Sequence, residues 1–141
     1  TEYKYRYEIV IGNDFIKYLL QSLGEDLRDK GYQVEIDYAI HSEFFLKVDI
    51  MQIERVFNNL EGNLIKYALK SMPITYSAVL TDNVLKITGK NYIQNQEHSD
   101  SHGVGINNCQ EIIKLHSGKM TTSIEDRCFI VTISIPSYLV G

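Results

Sequence analysis

Between Asp49 and Pro73, apolar side chains fall at Ile53, Val56, Phe57, Leu60 and Leu64, three and four residues apart. That spacing lays them along one stripe of a helix, a stripe that must be buried against a second layer of structure. Asp49 followed by Gln52 forms a capping box at the start, and the helix is expected to run to about Ser71, where Pro73 stops it. A similar stripe, Phe15, Ile16, Leu19, Leu20, Leu23 and Leu27, follows Asn13 or Asp14 as the cap and ends at Gly31. A third helix opens at Gly105 and keeps Ile106, Cys109, Ile112, Ile113 and His116 at core spacing. Gly118 stands where a left-handed C-cap is expected, and His116 reads as a packing or helix-dipole residue.

The segments between the helices alternate with period two. Tyr3–Ile11 sets Tyr5, Tyr7, Ile9 and Ile11 on one side, and Tyr32–Ile40 sets Val34, Ile36 and Tyr38 against Gln33, Glu35 and Asp37. Thr75–Leu80 and Asn83–Gly89 form a hairpin around Thr81-Asp82-Asn83. Lys119–Ile124 and Cys128–Pro136 form another around Glu125-Asp126-Arg127, with Phe129, Val131, Ile133 and Ile135 inward. Tyr92–His102 shows neither period and is expected to be a loop. The expected architecture is an α/β two-layer sandwich, a mixed sheet with three helices on one face, in a single domain over residues 1–141.

Composition narrows the function. Of 141 residues 44% are hydrophobic, enough for a core without disulfide or metal staples. Lys plus Arg number 14 and Asp plus Glu 18, a net charge of −4 that argues against nucleic-acid binding and against a polybasic membrane patch. Apolar runs such as Glu43–Val48 and Cys128–Ile135 are far shorter than a bilayer span, and nothing at the start resembles a targeting segment. Cys109 and Cys128 form no Cys-x-x-Cys motif, so a reducing, cytoplasmic setting is expected. The absence of an initiator Met at Thr1 suggests a piece of a longer chain.

Three constellations can carry chemistry. Asn59, Asn63, Lys66 and Tyr67 share one face of the second helix, either as a solvated face or as a nucleotide surface. Amide oxygens complete a magnesium shell, a lysine neutralises phosphate, and a tyrosine ring covers a base or ribose. Asn is a mediocre helix former, so two of them in mid-helix call for a reason. His102-Gly103-Val104-Gly105-Ile106 lets the backbone approach an anion at a helix start, although Gly-x-Gly also serves simply to begin a helix. Asn91, at the end of a strand, can read a base edge or make a turn. No His, Cys and carboxylate spacing suggests a transition-metal site, and neither a nucleophile elbow nor a Walker loop is present.

The order of these pieces resembles sensor histidine kinases. Asp49-Ile50-Met51-Gln52 through Asn59-Leu60-Glu61-Gly62-Asn63-Leu64-Ile65-Lys66-Tyr67 is similar to their N box, Asn-Leu-x-x-Asn-Ala-x-Lys-Tyr after an Asp-capped start. His102–Gly105 with Ile112-Ile113-Lys114-Leu115-His116-Ser117-Gly118-Lys119 resembles the second glycine box with its downstream helix, strand and hairpin. Ile133-Ser134-Ile135-Pro136 matches the closing strand. The resemblance implies the Bergerat ATP-binding fold of the GHKL superfamily, with ATP and magnesium as cofactors. By it Asn63 is the main metal ligand, and Asn59 is a second ligand or supports the first. Lys66 touches phosphate, Tyr67 lines the purine and ribose, and the backbone of Gly103, Val104, Gly105 and Ile106 wraps the phosphates. Asn63 and Lys66 are thus the residues closest to the chemistry.

The departures lie on the adenine side. The first glycine box is missing, the aspartate that accepts from the adenine amine falls at Asn91, and eleven residues, Tyr92 to His102, replace the usual long lid. Leu64 replaces a small Ala, and the Gly-Thr of the last hairpin is replaced around Cys128-Phe129. These features resemble a short-lid subgroup lacking the first glycine box. Losing an ionised acceptor costs about 1–2 kcal/mol, roughly tenfold in affinity.

The function implied is the ATP-binding catalytic domain of a two-component sensor kinase. It would place the γ-phosphoryl group for transfer to a histidine on a helical dimerisation domain of the same polypeptide, with a response regulator downstream. That places it in the cytoplasmic part of a membrane sensor, with this piece itself outside the membrane. The alternative is a degenerate ATP site serving as a pseudokinase or anti-sigma-like interaction module. Hydrolysis by water asks for a carboxylate base on the N-box helix, but Glu61, two residues from both Asn59 and Asn63, lies on another face, and Glu54 lies more than a turn ahead of Asn59.

Overall fold

The computed structural model describes residues 2–94 and 103–139. Its elements run β1 (Glu8–Ile11), α1 (Gly12–Asp29), β2 (Val34–Tyr38), β3 (Phe44–Val48) and α2 (Ile50–Tyr67). Then come β4 (Ile74–Thr81), β5 (Val84–Tyr92), α3 (Gly103–Lys114), β6 (Lys119–Glu125), β7 (Cys128–Pro136) and β8 (Tyr138–Leu139). The main sheet has the order β2-β4-β5-β7-β6, parallel between β2 and β4 and antiparallel elsewhere. Its inner face presents Ile74, Tyr76 and Ala78, Leu85 and Ile87, and the alternating Phe129, Val131, Ile133 and Ile135. All are buried in one core with the helix stripes. The two-layer α/β sandwich with three helices against a mixed sheet is therefore the fold.

A second, smaller sheet, β1-β3-β8, stands beside the first, where a single sheet was expected. Phe44, Leu46 and Val48 of β3 are fully buried in the common core. Only Glu8–Ile11 of the expected Tyr3–Ile11 strand pairs, and its Ile9 and Ile11 face outwards, 63% and 52% exposed. The half-buried Val10, opposite Leu46, takes the inward place.

The helix ends show where local chemistry prevails and where packing overrides it. Asp49 caps α2, its Oδ1 accepting from the Gln52 N–H at 3.1 Å. The helix stops at Tyr67, before Ser71 and Pro73, because Ala68 is drawn into an antiparallel bridge with Ile93. Helix α1 starts at Gly12 after Ile11, without a side-chain cap. Asn13 instead donates to the Ser42 carbonyl and accepts from the Tyr38 hydroxyl. Burial, with the Asp14 charge, pushes that phenol up to about 12. The end of α1 is a Schellman motif: Gly31, at φ 93°, donates to Arg28, and Tyr32 to Leu27. The same motif ends α3, but the left-handed residue is Ser117 (φ 61°), not Gly118. Gly118 is required for another reason: a Cβ there would sit 2.3 Å from the Ser134 carbonyl oxygen. Both hairpin turns carry two residues at positive φ, Asp82-Asn83 and Asp126-Arg127, which matches strand twist.

Asp49 is buried, which pushes its carboxyl pKa up. Bonds from the Arg6 N–H, the Tyr3 hydroxyl and the Gln52 N–H outweigh that burial and hold it below the ordinary value. A depressed folded-state pKa contributes stability that is complete above the unfolded value, roughly 3.9, and lost as pH falls through the folded one. Urea midpoints should therefore drop as pH is lowered below about 4, and drop less in Asp49→Asn. Two glycine substitutions should have opposite signs. Gly118→Ala forces the Ser134 backbone away and should cost about 2 kcal/mol or more. Gly62→Ala in mid-α2, where a Cβ meets nothing within 4 Å among the described residues, should gain about 0.5–1 kcal/mol in the same unfolding series.

Candidate functional site

Two contacts orient α2 against α3. The Asp49 N–H, at the start of α2, donates to His116 Nε2 at 3.0 Å, just past the end of α3. Further along, Asn59 Nδ2 approaches Cys109 Sγ at 3.6 Å, and that thiol donates to the Val56 carbonyl at 3.8 Å. The helices are therefore antiparallel. From the second contact, Asn63 lies four residues on in α2 and Gly105 four residues back in α3, each about 6 Å along its axis. The carboxamide ridge and the diglycine helix start thus reach the same level of the packed pair.

Asn63 is half-buried, and its amide nitrogen, fully shielded from solvent, is left without a hydrogen-bond partner among the described residues. A buried amide without a partner costs about 1–3 kcal/mol. Turning the carboxamide over exchanges its nitrogen for its oxygen, so the position can present either a donor or an oxygen ligand. Lys66, one turn on, is exposed, and Tyr67 is half-buried beside it. Asn59 is committed to Cys109, so it stands as a partner of α3 more than as an open ligand. The Cys109 thiol is pushed up by burial, against smaller opposing effects of Asn59 and Arg55. It stays protonated, as its role as a donor requires.

Helix α3 begins at Gly103, two residues before the expected start, so Gly103 to Ile106 form its first turn and not a loop around it. The first N–H groups of a helix lack intrahelical partners and carry the positive end of its dipole. The buried Ile106 fixes that turn to the core. His102 and most of the Tyr92–His102 loop lie outside the described residues. Tyr92 itself still belongs to β5, and Ile93 pairs with Ala68.

Asn91 lies within β5, opposite Phe129, and is 4% exposed, with one long contact among the described residues, 3.5 Å from its Nδ2 to the Tyr92 carbonyl. The Leu69 N–H donates to that same carbonyl at 2.9 Å. With the Ala68–Ile93 bridge, this ties the end of α2 to the end of β5. On the opposite side of α2, Glu54, Asn58 and Glu61 line a groove of about 430 Å³ against α1. Burial and the neighbouring Asp26 raise the Glu61 pKa there. Neither glutamate shares the Asn59–Asn63 side. Among the described residues, no group of three His, Cys, Asp or Glu side chains is placed to hold a metal. Sequence reasoning overlooks the Asn59–Cys109 contact; Cys109 falls at core spacing, and only the helix packing shows what its sulfur meets.

A helical layer carrying this ridge, antiparallel to a helix that starts in glycines and laid on a mixed sheet, defines a Bergerat-type ATP-binding sandwich. The GHKL domain family matches residues 35–136, and the chain belongs to that family. No curated protein matches it in sequence. The nucleotide-free catalytic domain of the histidine kinase ThkA superposes with a TM-score of 0.74 at 18% identity, covering 93% of this chain and 97% of that one. The histidine kinase AdeS of Acinetobacter baumannii gives 0.72 at 19% identity, over 95% of this chain and 68% of its own. Full-length ShkA in complex with AMPPNP gives 0.72 at 13% identity, over all of this chain and 33% of its own. The fold is thus that of histidine-kinase catalytic domains, as the N-box resemblance implies. No helix among the described residues is long and apolar enough to cross a membrane.

The burial of Cys109 is open to a direct check. In the native protein a neutral alkylating reagent should modify the half-buried Cys128 first. Cys109 should react only on unfolding in urea, read by peptide mass spectrometry.

Proposed function

We propose that this chain is the ATP-binding catalytic domain of a two-component sensor histidine kinase. It holds magnesium–ATP so that the γ-phosphoryl group reaches a histidine on a helical dimerisation domain of the same polypeptide. The observation that carries this reading is the buried amide of Asn63, without a partner among the described residues, at the level of the α3 N-terminus. An amide kept without a partner in a packed helix pair is one that a ligand satisfies.

Asn63 fits magnesium, since that hard ion takes oxygen ligands, retains waters and shares its shell with phosphates. Bound there, the ion would neutralise phosphate charge, and Asn63, supported by Asn59, would hold it. Lys66 adds a mobile positive charge, and the N–H groups of Gly103 to Ile106 receive phosphate oxygens. Tyr67 and Asn91 take the base. Phosphoryl transfer depends mainly on positioning and charge neutralisation, which amides, one lysine and backbone N–H groups supply. The placement of Glu54 and Glu61 against α1 supports transfer to an acceptor over hydrolysis, because neither carboxylate stands on the ridge to activate water. ShkA, whose fold this chain shares, is known in complex with AMPPNP, which supports a nucleotide as the ligand. A response regulator would receive the phosphoryl group, and the domain would work in the cytoplasm as part of a membrane sensor.

Calorimetric titration with ATP and magnesium tests this. The native chain should bind magnesium–ATP, with weak discrimination against GTP, because Asn91 can turn its amide to meet either purine. Asn63→Ala should abolish the magnesium-dependent part, and Asn91→Asp should tighten ATP about tenfold. The chain alone should incorporate little phosphate, because the acceptor is elsewhere. A native chain that binds no nucleotide in either condition would leave the degenerate interaction module in its place.

A further inference from the structure

His116 is 6% exposed and makes two bonds of fixed sense. Its Nδ1 lies 2.7 Å from the Ile112 carbonyl oxygen, and its Nε2 lies 3.0 Å from the Asp49 backbone nitrogen. A carbonyl only accepts and a backbone N–H only donates. The ring must therefore carry its proton on Nδ1 and leave Nε2 bare. The Asp49 carboxylate has other partners: Gln52 at Oδ1, and at Oδ2 the Tyr3 hydroxyl at 2.8 Å and the Arg6 N–H at 2.9 Å. The N-terminal segment closes over the ring. Tyr5 and Tyr7 meet it edge-on at 5.9 and 5.3 Å, and the Tyr7 hydroxyl bonds the Leu115 carbonyl at 2.6 Å. Three elements thus meet at one imidazole: the start of α2, the end of α3 and the chain leading into β1.

We propose that His116 is a positioning residue for the nucleotide site. Its bond to the Asp49 N–H sets the angle between the two helices whose far ends carry Asn63 and the Gly103–Ile106 amides. The inference rests on the proposed binding of nucleotide, but its mechanical part belongs to the ligand-free protein. Helix α3 is about 18 Å long, so a tilt of about 5° at His116 displaces its N-terminus by about 1.5 Å. A misplacement near 1 Å can cost about a hundredfold in a positioned reaction. Cys109 and Asn59 form a weaker second contact, since sulfur is a poor hydrogen-bonding partner, so they do not hold the angle alone. A residue that only filled space would need an apolar ring here. An acceptor aimed at a helix-cap N–H is what a fixed angle requires.

The test uses the chain with His116→Phe, which keeps bulk and removes the acceptor, and His116→Gln, whose amide oxygen can reach the Asp49 N–H. Leu20→Ala, a core truncation on α1, serves as a stability control. In ligand-free protein, nitrogen-15 spectra should show the native imidazole protonated at Nδ1 only. The Asn63 side-chain and Gly105 backbone resonances should move in the Phe variant, return towards native in the Gln variant, and stay put in Leu20→Ala. At a temperature where all are folded, magnesium–ATP affinity should fall about tenfold or more in the Phe variant, recover in the Gln variant, and hold in the control. Unmoved resonances in His116→Phe, a proton on Nε2, or equal losses in the Phe variant and the control would overturn the proposal. If the resonances move as expected but native protein binds no nucleotide, the positioning of the two helices stands and the nucleotide reading falls.

Discussion

The antiparallel packing of α2 on α3 is the constraint from which the rest of the molecule takes its meaning. Neither helix has a site of its own: one offers a carboxamide and a lysine, the other a few N–H groups at its start. Their value depends on meeting at one level, which is set by where the two helices touch. The burial of Val56, Leu60, Cys109 and Ile113 drives them together without choosing an angle. Directional bonds at Asp49–His116 and Asn59–Cys109 supply the angle.

Much of this is legible along the chain. The stripes of α1 and α2, and the alternation of Phe129, Val131, Ile133 and Ile135, come from the two periodicities by which one face is buried. The paired turn residues announce both hairpins. The N-box ridge can be read because helical spacing puts Asn59, Asn63 and Lys66 on one side wherever the helix packs. What fails to show depends on residues distant in sequence. Helix α2 ends at Tyr67 because Ile93 captures Ala68. Strand β3 reads along the chain only as an apolar run, because its partner β1 lies over thirty residues away. Gly118 reads as the left-handed residue that Ser117 in fact supplies, while its own necessity comes from the Ser134 backbone across the sheet. The capping box at Asp49 forms by half: the carboxylate bonds Gln52, but the Asp49 N–H is taken by His116, 67 positions on.

The purine side is legible mainly as departures. Asn91 is buried within a strand, and its neutral amide makes one long contact to its neighbour's carbonyl. A carboxylate in that enclosed place would carry a desolvation cost that the neutral amide avoids. The neutral residue therefore suits the ligand-free protein better, and in the proposed reading it would be a weaker, more permissive partner for a base. In the proposed reading, phosphate recognition would rest on main-chain groups and be far less sensitive to such substitutions.

The parallel pairing of β2 with β4 has a kinetic consequence. Strands β4, β5, β7 and β6 include two pairs joined by tight two-residue turns, and such hairpins close in microseconds. Strand β2 must instead find β4 across an intervening strand and helix, so its docking carries a larger loop-closure entropy. On a ribosome, which makes β2 well before β4, the Val34–Tyr38 segment waits for its neighbour. Its alternating acidic residues, Glu35 and Asp37, help keep that waiting strand from pairing with another nascent chain.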